Sequence, residues 1–217
     1  RYAILSHTWM RVSPGEVTYV DWMKGEFDSH HSGYRKLLSF CKAAWNDHGL
    51  TLGWLDTLCI NKESSAELDE SIRSMYKWYR DSAICLTYLS GTVTLTDMHK
   101  DLWFTRGWTL QELLAPVNIK FYNREWKQLI ESSKNDKDDY SIHQQIEQAT
   151  SITQYELRYI RNVPISRRMQ LAATREVTRE EDIVYSLMGM FDVSIATAYG
   201  EGVEQAFFRL VKEILSA

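Results

Sequence analysis

Residues Trp103–Tyr122 read WFTRGWTLQELLAPVNIKFY. The stretch contains a short helix, its stop and the strand that follows. Stepping about 100° per residue from Trp108 places Leu110, Leu113 and Leu114 on one side. Gln111, Glu112 and Ala115 fall on the side of Trp108. Pro116 ends the helix, and Ile119–Tyr122 (IKFY) is an apolar strand. Upstream, Ala83–Leu89 (AICLTYL) is another such strand, closed by Ser90-Gly91. Strand, helix and strand joined this way give a parallel pair.

The same alternation extends toward the N-terminus. Tyr2–Leu5 (YAIL), running on into Ser6 and His7, reads as a buried strand. Ser13–Glu16 (SPGE) is a turn, and a loop runs to Gly33. Leu37, Cys41, Ala44, Trp45 and His48 recur at helical spacing ahead of a capping Gly49. Leu52–Ile60 (LGWLDTLCI) reads as a strand. Ser64-Ser65-Ala66-Glu67 opens a helix as a capping box, with Leu68, Ile72, Met75 and Tyr79 as its buried stripe. The order β-α-β-α-β-α-β predicts an α/β fold with a parallel sheet covered by helices on both faces. Ser132–Ser141 (SSKNDKDDYS) reads as a loop or mobile insertion. From Ile142 the pattern is helical, with a second capping box at Thr178-x-x-Glu181 and a turn at Tyr199–Gly202. The expectation is one domain over residues 1–217: an α/β core to residue 130 and a helical extension packed on it over 131–217.

Composition narrows the function classes. A net charge of −4 with no long Lys/Arg block argues against nucleic-acid binding. No apolar run reaches the length of a membrane span. The three cysteines, Cys41, Cys59 and Cys85, lie in apolar runs, so free buried thiols in a reducing compartment are expected. No metal-ligand spacing is present, and no P-loop, nucleophile elbow or Rossmann glycine pattern occurs. The chain opens on Arg1-Tyr2-Ala3 with neither initiator Met nor signal peptide, as expected of a domain from a longer protein.

Open parallel sheets bind ligands outside the carboxyl ends of their strands. Ser6–Trp9, Asp56–Lys62, Ser90-Gly91 and the entry to the Trp108 helix, with Arg106, are expected there. His7 is a base, a phosphate donor or a structural group. Asp56 suits loop N–H groups. Cys59 suits the core better than a nucleophile's role. Periodicity leaves the Trp108–Gln111–Glu112 face open between a ligand wall and an ordinary polar surface.

YAILSHTW, LDTLCINK, WFTRGWTLQELLAP, TREEDIVYSLMGMFDV and AYGEGVEQAFFRL resemble, in order, the motifs of the fungal heterokaryon-incompatibility (HET) domain. Met10 stands where the family often has Gly. The resemblance implies a cytoplasmic domain that triggers programmed cell death. It also implies a likeness to the Toll/interleukin-1 receptor (TIR) fold, with its flavodoxin-like sheet. NAD-cleaving TIR proteins carry a catalytic Glu in a Trp-Cys-x-x-Glu-Leu helix after the third strand. Trp108-Thr109-Leu110-Gln111-Glu112-Leu113 has the same spacing in the same topological place, with Thr109 for Cys.

The resemblance therefore implies Glu112 as catalytic residue of an NAD+ glycohydrolase. Ser6, His7, Trp9, Asp56, Asn61, Arg106, Trp108 and Gln111 are the substrate-binding candidates. NAD+ or a related nucleotide would be substrate rather than cofactor. Nicotinamide leaves NAD+ without protonation, so one carboxylate suffices to stabilise the ribosyl cation. The competing expectations are a non-catalytic scaffold acting by self-association and a nucleotide sensor without turnover. Trp22, Trp45 and Trp126 are candidates for either an interface or the core.

Overall fold

The computed structural model describes residues 1–10, 15–26, 28, 30–132 and 134–217. Its elements in the first half are β1 (Ala3–His7), α1 (Tyr19–Lys24), α2 (Ser32–His48), β2 (Gly53–Trp54), α3 (Asp56–Cys59), α4 (Ser65–Asp81), β3 (Ile84–Tyr88), α5 (Thr109–Leu114) and β4 (Ile119–Tyr122). Beyond them come α6 (Tyr140–Thr150), α7 (Gln154–Arg158), α8 (Ile165–Ala172), α9 (Asp182–Tyr185), α10 (Met188–Phe191) and α11 (Val203–Ser216). The strands pair in parallel in the order β2-β1-β3-β4. This is an α/β fold whose order matches the start of the flavodoxin-like arrangement, and it reverses between β1 and β3.

Strand alternation divides the core in two. Ala3 and Leu5 of β1, with Ile84 and Leu86 of β3, pack on Leu37, Phe40, Ala43 and Ala44 of α2. Ile4, Cys85, Ile119 and Phe121 face the other way, into a cluster holding α4, α5 and the buried residues of α6 to α11. Residues after 130 thus share the main core with the sheet. At one contact α10 meets α4 so closely that a Cβ on Gly189 would lie 2.0 Å from the Tyr76 Cβ.

Several sequence expectations need correction. The strand read over 52–60 is only Gly53–Trp54, and the chain then coils into α3. An apolar run of that length does not distinguish strand from buried helix. The loop expected up to Gly33 contains α1, opened by a capping box between Thr18 and Asp21. The turn expected over 13–16 lies partly outside the described residues. Glu181 does not close a capping box with Thr178; its carboxylate accepts the N–H groups of Gly200 and Gly202.

The polar stretch 132–141 is the largest correction. Asp136 and Lys137 are buried. Asp136 accepts the Phe121 N–H at 2.8 Å and the Lys120 ammonium at 2.7 Å. Asn135 accepts the Ile119 N–H at 3.0 Å. Lys137 donates to the Leu114 and Pro116 carbonyls that end α5. These side chains cover the open edge of β4, so two of the charges that suggested a solvated loop, Asp136 and Lys137, bind backbone instead. Cys85 is buried, but Cys41 and Cys59 are exposed, contrary to expectation, and all three are free. No described helix is long and apolar enough to cross a membrane.

The Lys120–Asp136 pair is almost fully removed from solvent. Asp136→Ala is expected to cost about 3–5 kcal/mol by stranding the ammonium. The double change Lys120→Met with Asp136→Leu is expected to cost less than the single one. Urea denaturation of the three proteins checks this order.

Candidate functional site

The switch point lies between the carboxyl ends of β1 and β3. Ser6 and His7 are adjacent there but point to opposite faces of the sheet. They nucleate two polar clusters that meet at the end of β1.

His7 belongs to the α2 side. Its Nε2 lies 3.2 Å from Asp56 Oδ1, and Asp56 Oδ2 accepts the Trp9 indole N–H at 3.0 Å and the Lys62 ammonium at 3.2 Å. The Lys62 ammonium also sits 3.3 Å over the Trp9 ring, a cation–π contact. On the other side of His7, Glu16 pairs with Lys36 and accepts the Met10 N–H at 2.8 Å. Burial and the charge of Lys36 hold His7 below the ordinary histidine range, so the ring is neutral at pH 7. Burial works against the ionised form of Asp56, but its bonds to His7 and Lys62 prevail and hold it well below the usual carboxylate range. With Nε2 donating to Asp56, His7 Nδ1 is left as an acceptor without a donor.

Ser6 belongs to the other face. Its hydroxyl donates to Glu112 Oε2 at 2.5 Å and accepts the Trp103 indole N–H at 2.7 Å. The Tyr79 hydroxyl donates to the Leu5 carbonyl at 2.9 Å and also touches the Glu112 carboxyl. Glu112 is only 8% exposed, and every residue of α5 is buried. Burial pushes its carboxyl up to about 8, with help from the charge of Asp56 and against the pull of Ser6, Tyr79 and Arg175. The group is therefore mostly a neutral acid at pH 7 in the resting domain.

The other candidates divide between these clusters and places outside them. The polar face of the Trp108 helix is not a solvated surface, because every residue of this short helix lodged in the core is buried. Gln111 is buried with its Nε2 unpartnered. Trp108 is half-buried and hydrogen-bonds Asp182. Arg106 reaches away to Thr178 Oγ1 at 3.2 Å. Asn61 shapes the turn into α4, accepting the Glu63 N–H at 3.1 Å and donating its own N–H to Glu67. Cavities of about 330 Å³, between Met169, Ile183, Leu187 and Phe207, and about 280 Å³, between Phe40, Trp45 and Leu52, border neither cluster.

Sequence reading missed Glu16, Lys36 and Arg175 as site residues, and placed Lys62 at the sheet edge without giving it a role. Lys36 left a signal. It falls on the same stripe of α2 as Phe40, Ala43 and Ala44, where a charge needs a buried partner. Arg175 left none, because its run (ATREVTREE) is mostly polar and charged and shows no apolar periodicity.

Residues 2–101 match the model of the heterokaryon incompatibility protein (HET) family. The vegetative incompatibility protein HET-E-1 of Podospora anserina is 41% identical over 229 aligned positions, covering 98% of this chain and 16% of that protein. Over residues 2–101 the chain is similar to a HET domain. No solved structure matches it. The HET model covers β1 through β3 and the His7–Asp56 cluster. Glu112 and Arg175 lie beyond it.

Burial of Glu112 gives the domain a signed pH dependence. A carboxyl whose folded pKa is raised to about 8 from the ordinary 4.5 binds its proton more tightly folded than unfolded. The stability it contributes is complete below 4.5 and is lost as pH rises through about 8. Glu112→Gln cannot ionise, so its stability is expected to gain on wild type across that window, by on the order of a few kcal/mol. Thermal or urea unfolding of both proteins from about pH 4 to about pH 9 tests this; parallel curves would refute it.

Proposed function

We propose that this domain is a cell-death effector of vegetative incompatibility, and that its chemistry is hydrolysis of the nicotinamide–ribose bond of NAD+ with Glu112 as catalytic residue. The observation that carries the reading is the Glu112 carboxyl hydrogen-bonded to Ser6 at the carboxyl end of β1, beside the point where the strand order reverses. Its TIR-like place after β3 and the similarity to a vegetative incompatibility protein support the same reading. The chain spans 16% of that relative, so the proposal concerns the domain and not the whole protein.

In the proposed reaction the C1′–N bond breaks and nicotinamide leaves as a neutral molecule with the bonding pair. Water adds to C1′ and releases one proton, giving ADP-ribose. The ribosyl centre passes through a cationic state that an oriented carboxylate stabilises. Glu112 must be ionised for that role, and a bound cation favours its ionised form. Trp9 already carries one cation on its ring, the Lys62 ammonium, and a nicotinamide cation is a partner of the same kind. In the resting domain Glu112 is capped by Ser6, and Trp9, though half-exposed, is held by Asp56 and Lys62. Substrate entry therefore requires these contacts to part.

Pure protein incubated at high concentration with NAD+ is expected to release nicotinamide. The kcat/KM is expected to rise with pH through about 8, the value for Glu112 in the free domain. Glu112→Gln is expected to lower the rate by about a few hundredfold or more and to abolish killing at equal expression. Killing by Glu112→Gln with cellular NAD+ undiminished would overturn the catalytic reading in favour of a self-assembling scaffold.

A further inference from the structure

Arg175 is 6% exposed, follows α8 and forms no ion pair among the described residues. Its Nη1 donates to the Arg106 carbonyl at 2.8 Å and to Thr109 Oγ1 at 3.0 Å, and its Nη2 has no partner. A buried guanidinium held only by neutral acceptors is costly. The backbone around it is fixed. Gly107 donates to the Glu176 carbonyl at 2.8 Å, and Glu176 donates to the Thr105 carbonyl at 2.6 Å. A Cβ on Gly107 would lie 2.4 Å from Val177 Cγ1. The segment 175–177 is therefore clamped to the entry of α5, one turn ahead of Glu112.

We propose that Arg175 is the positioning residue for Glu112, fixing the first turn of α5 through Thr109 and Arg106 and supplying the counter-charge against which the Glu112 carboxyl ionises. The resting domain then holds the two halves of an ion pair unjoined: a guanidinium with a spare N–H and a carboxyl kept mostly neutral. Ser6 from β1 and Tyr79 from α4 hydrogen-bond this carboxyl, and Asp56 from α3, Cys85 from β3 and Arg175 act on it through their charges. Among them Arg175 is the cation. Burial lowers its own pKa to about 10, and the charge of Glu112 opposes that fall, so it remains charged across the range in which Glu112 titrates.

The role of Arg175 in catalysis rests on the NAD+ reading above, but its coupling to Glu112 does not. The decisive measurement is therefore made without substrate. In 15N-labelled wild-type protein the Arg175 side-chain N–H signal, assigned by its loss in Arg175→Lys, is followed from about pH 6 to about pH 10. It is expected to shift with the midpoint of Glu112 and to be unmoved in Glu112→Gln. A signal that stays still while Glu112 titrates would overturn the proposal, and this arm requires no foldable Arg175→Met protein. Where Arg175→Met folds, its Glu112 midpoint is expected to rise by about one unit or more. NAD+ cleavage near pH 7.5 would then fall about tenfold and recover toward wild type near pH 10. Arg175→Lys, which keeps the charge, is expected to retain the wild-type midpoint; equal midpoints in the Met and wild-type proteins would also overturn the proposal. Coupled titration without cleavage in any protein would sustain the Arg175 proposal and defeat the NAD+ reading.

Discussion

The hydrogen bond from Ser6 to Glu112 ties the central strand to the helix that follows β3, and much of the structure follows from where it is buried. β1 is flanked on both sides, so its side chains have no route to solvent except at its carboxyl end. A polar group facing the core there needs a partner, and α5 supplies a carboxyl. A carboxyl in that position is mostly neutral near pH 7, because burial disfavours the charge more than Ser6, Tyr79 and Arg175 restore it. The short helix, the Trp103 indole above Ser6 and the segment 175–177 all pack to hold this pair.

The same strand separates the two polar clusters. A period of two sends Ser6 to α4 and α5, and His7 to α2. The candidate residues at the end of β1 thus form two polar clusters that meet at the sheet edge. Asp56 connects them electrostatically: it bonds His7 and Trp9 directly, and its charge reaches Glu112. In α3, which stands where a strand was expected, the first residue, Asp56, aims its carboxylate across the end of β1.

Much of the fold was legible in the sequence because it rests on burial. Tyr2–His7, Ala83–Leu89 and Ile119–Tyr122 are apolar on both faces, as strands of a covered parallel sheet must be, and they emerged at the right places. Gly49 ended α2 as expected, in the left-handed conformation. What failed was the assumption that polar means exposed. Gln111 and Glu112 are buried, and so are Asp136 and Lys137; Glu112, Asp136 and Lys137 each meet a backbone or side-chain partner that no local pattern reveals. The unmatched demand of Arg175 is of the same kind. It is defined by Arg106 and Thr109, more than sixty residues away in sequence, and spacing cannot show it.

A neutral carboxyl beneath Ser6 is the central physical claim, and infrared spectroscopy observes it directly. The difference spectrum between wild type and Glu112→Gln at about pH 6 should contain the C=O stretch of one protonated carboxylic acid. That band should be replaced by carboxylate stretches at about pH 10. Carboxylate bands already present at pH 6, with no protonated acid in the difference, would contradict the burial of Glu112 as a neutral group and with it the latent site described here.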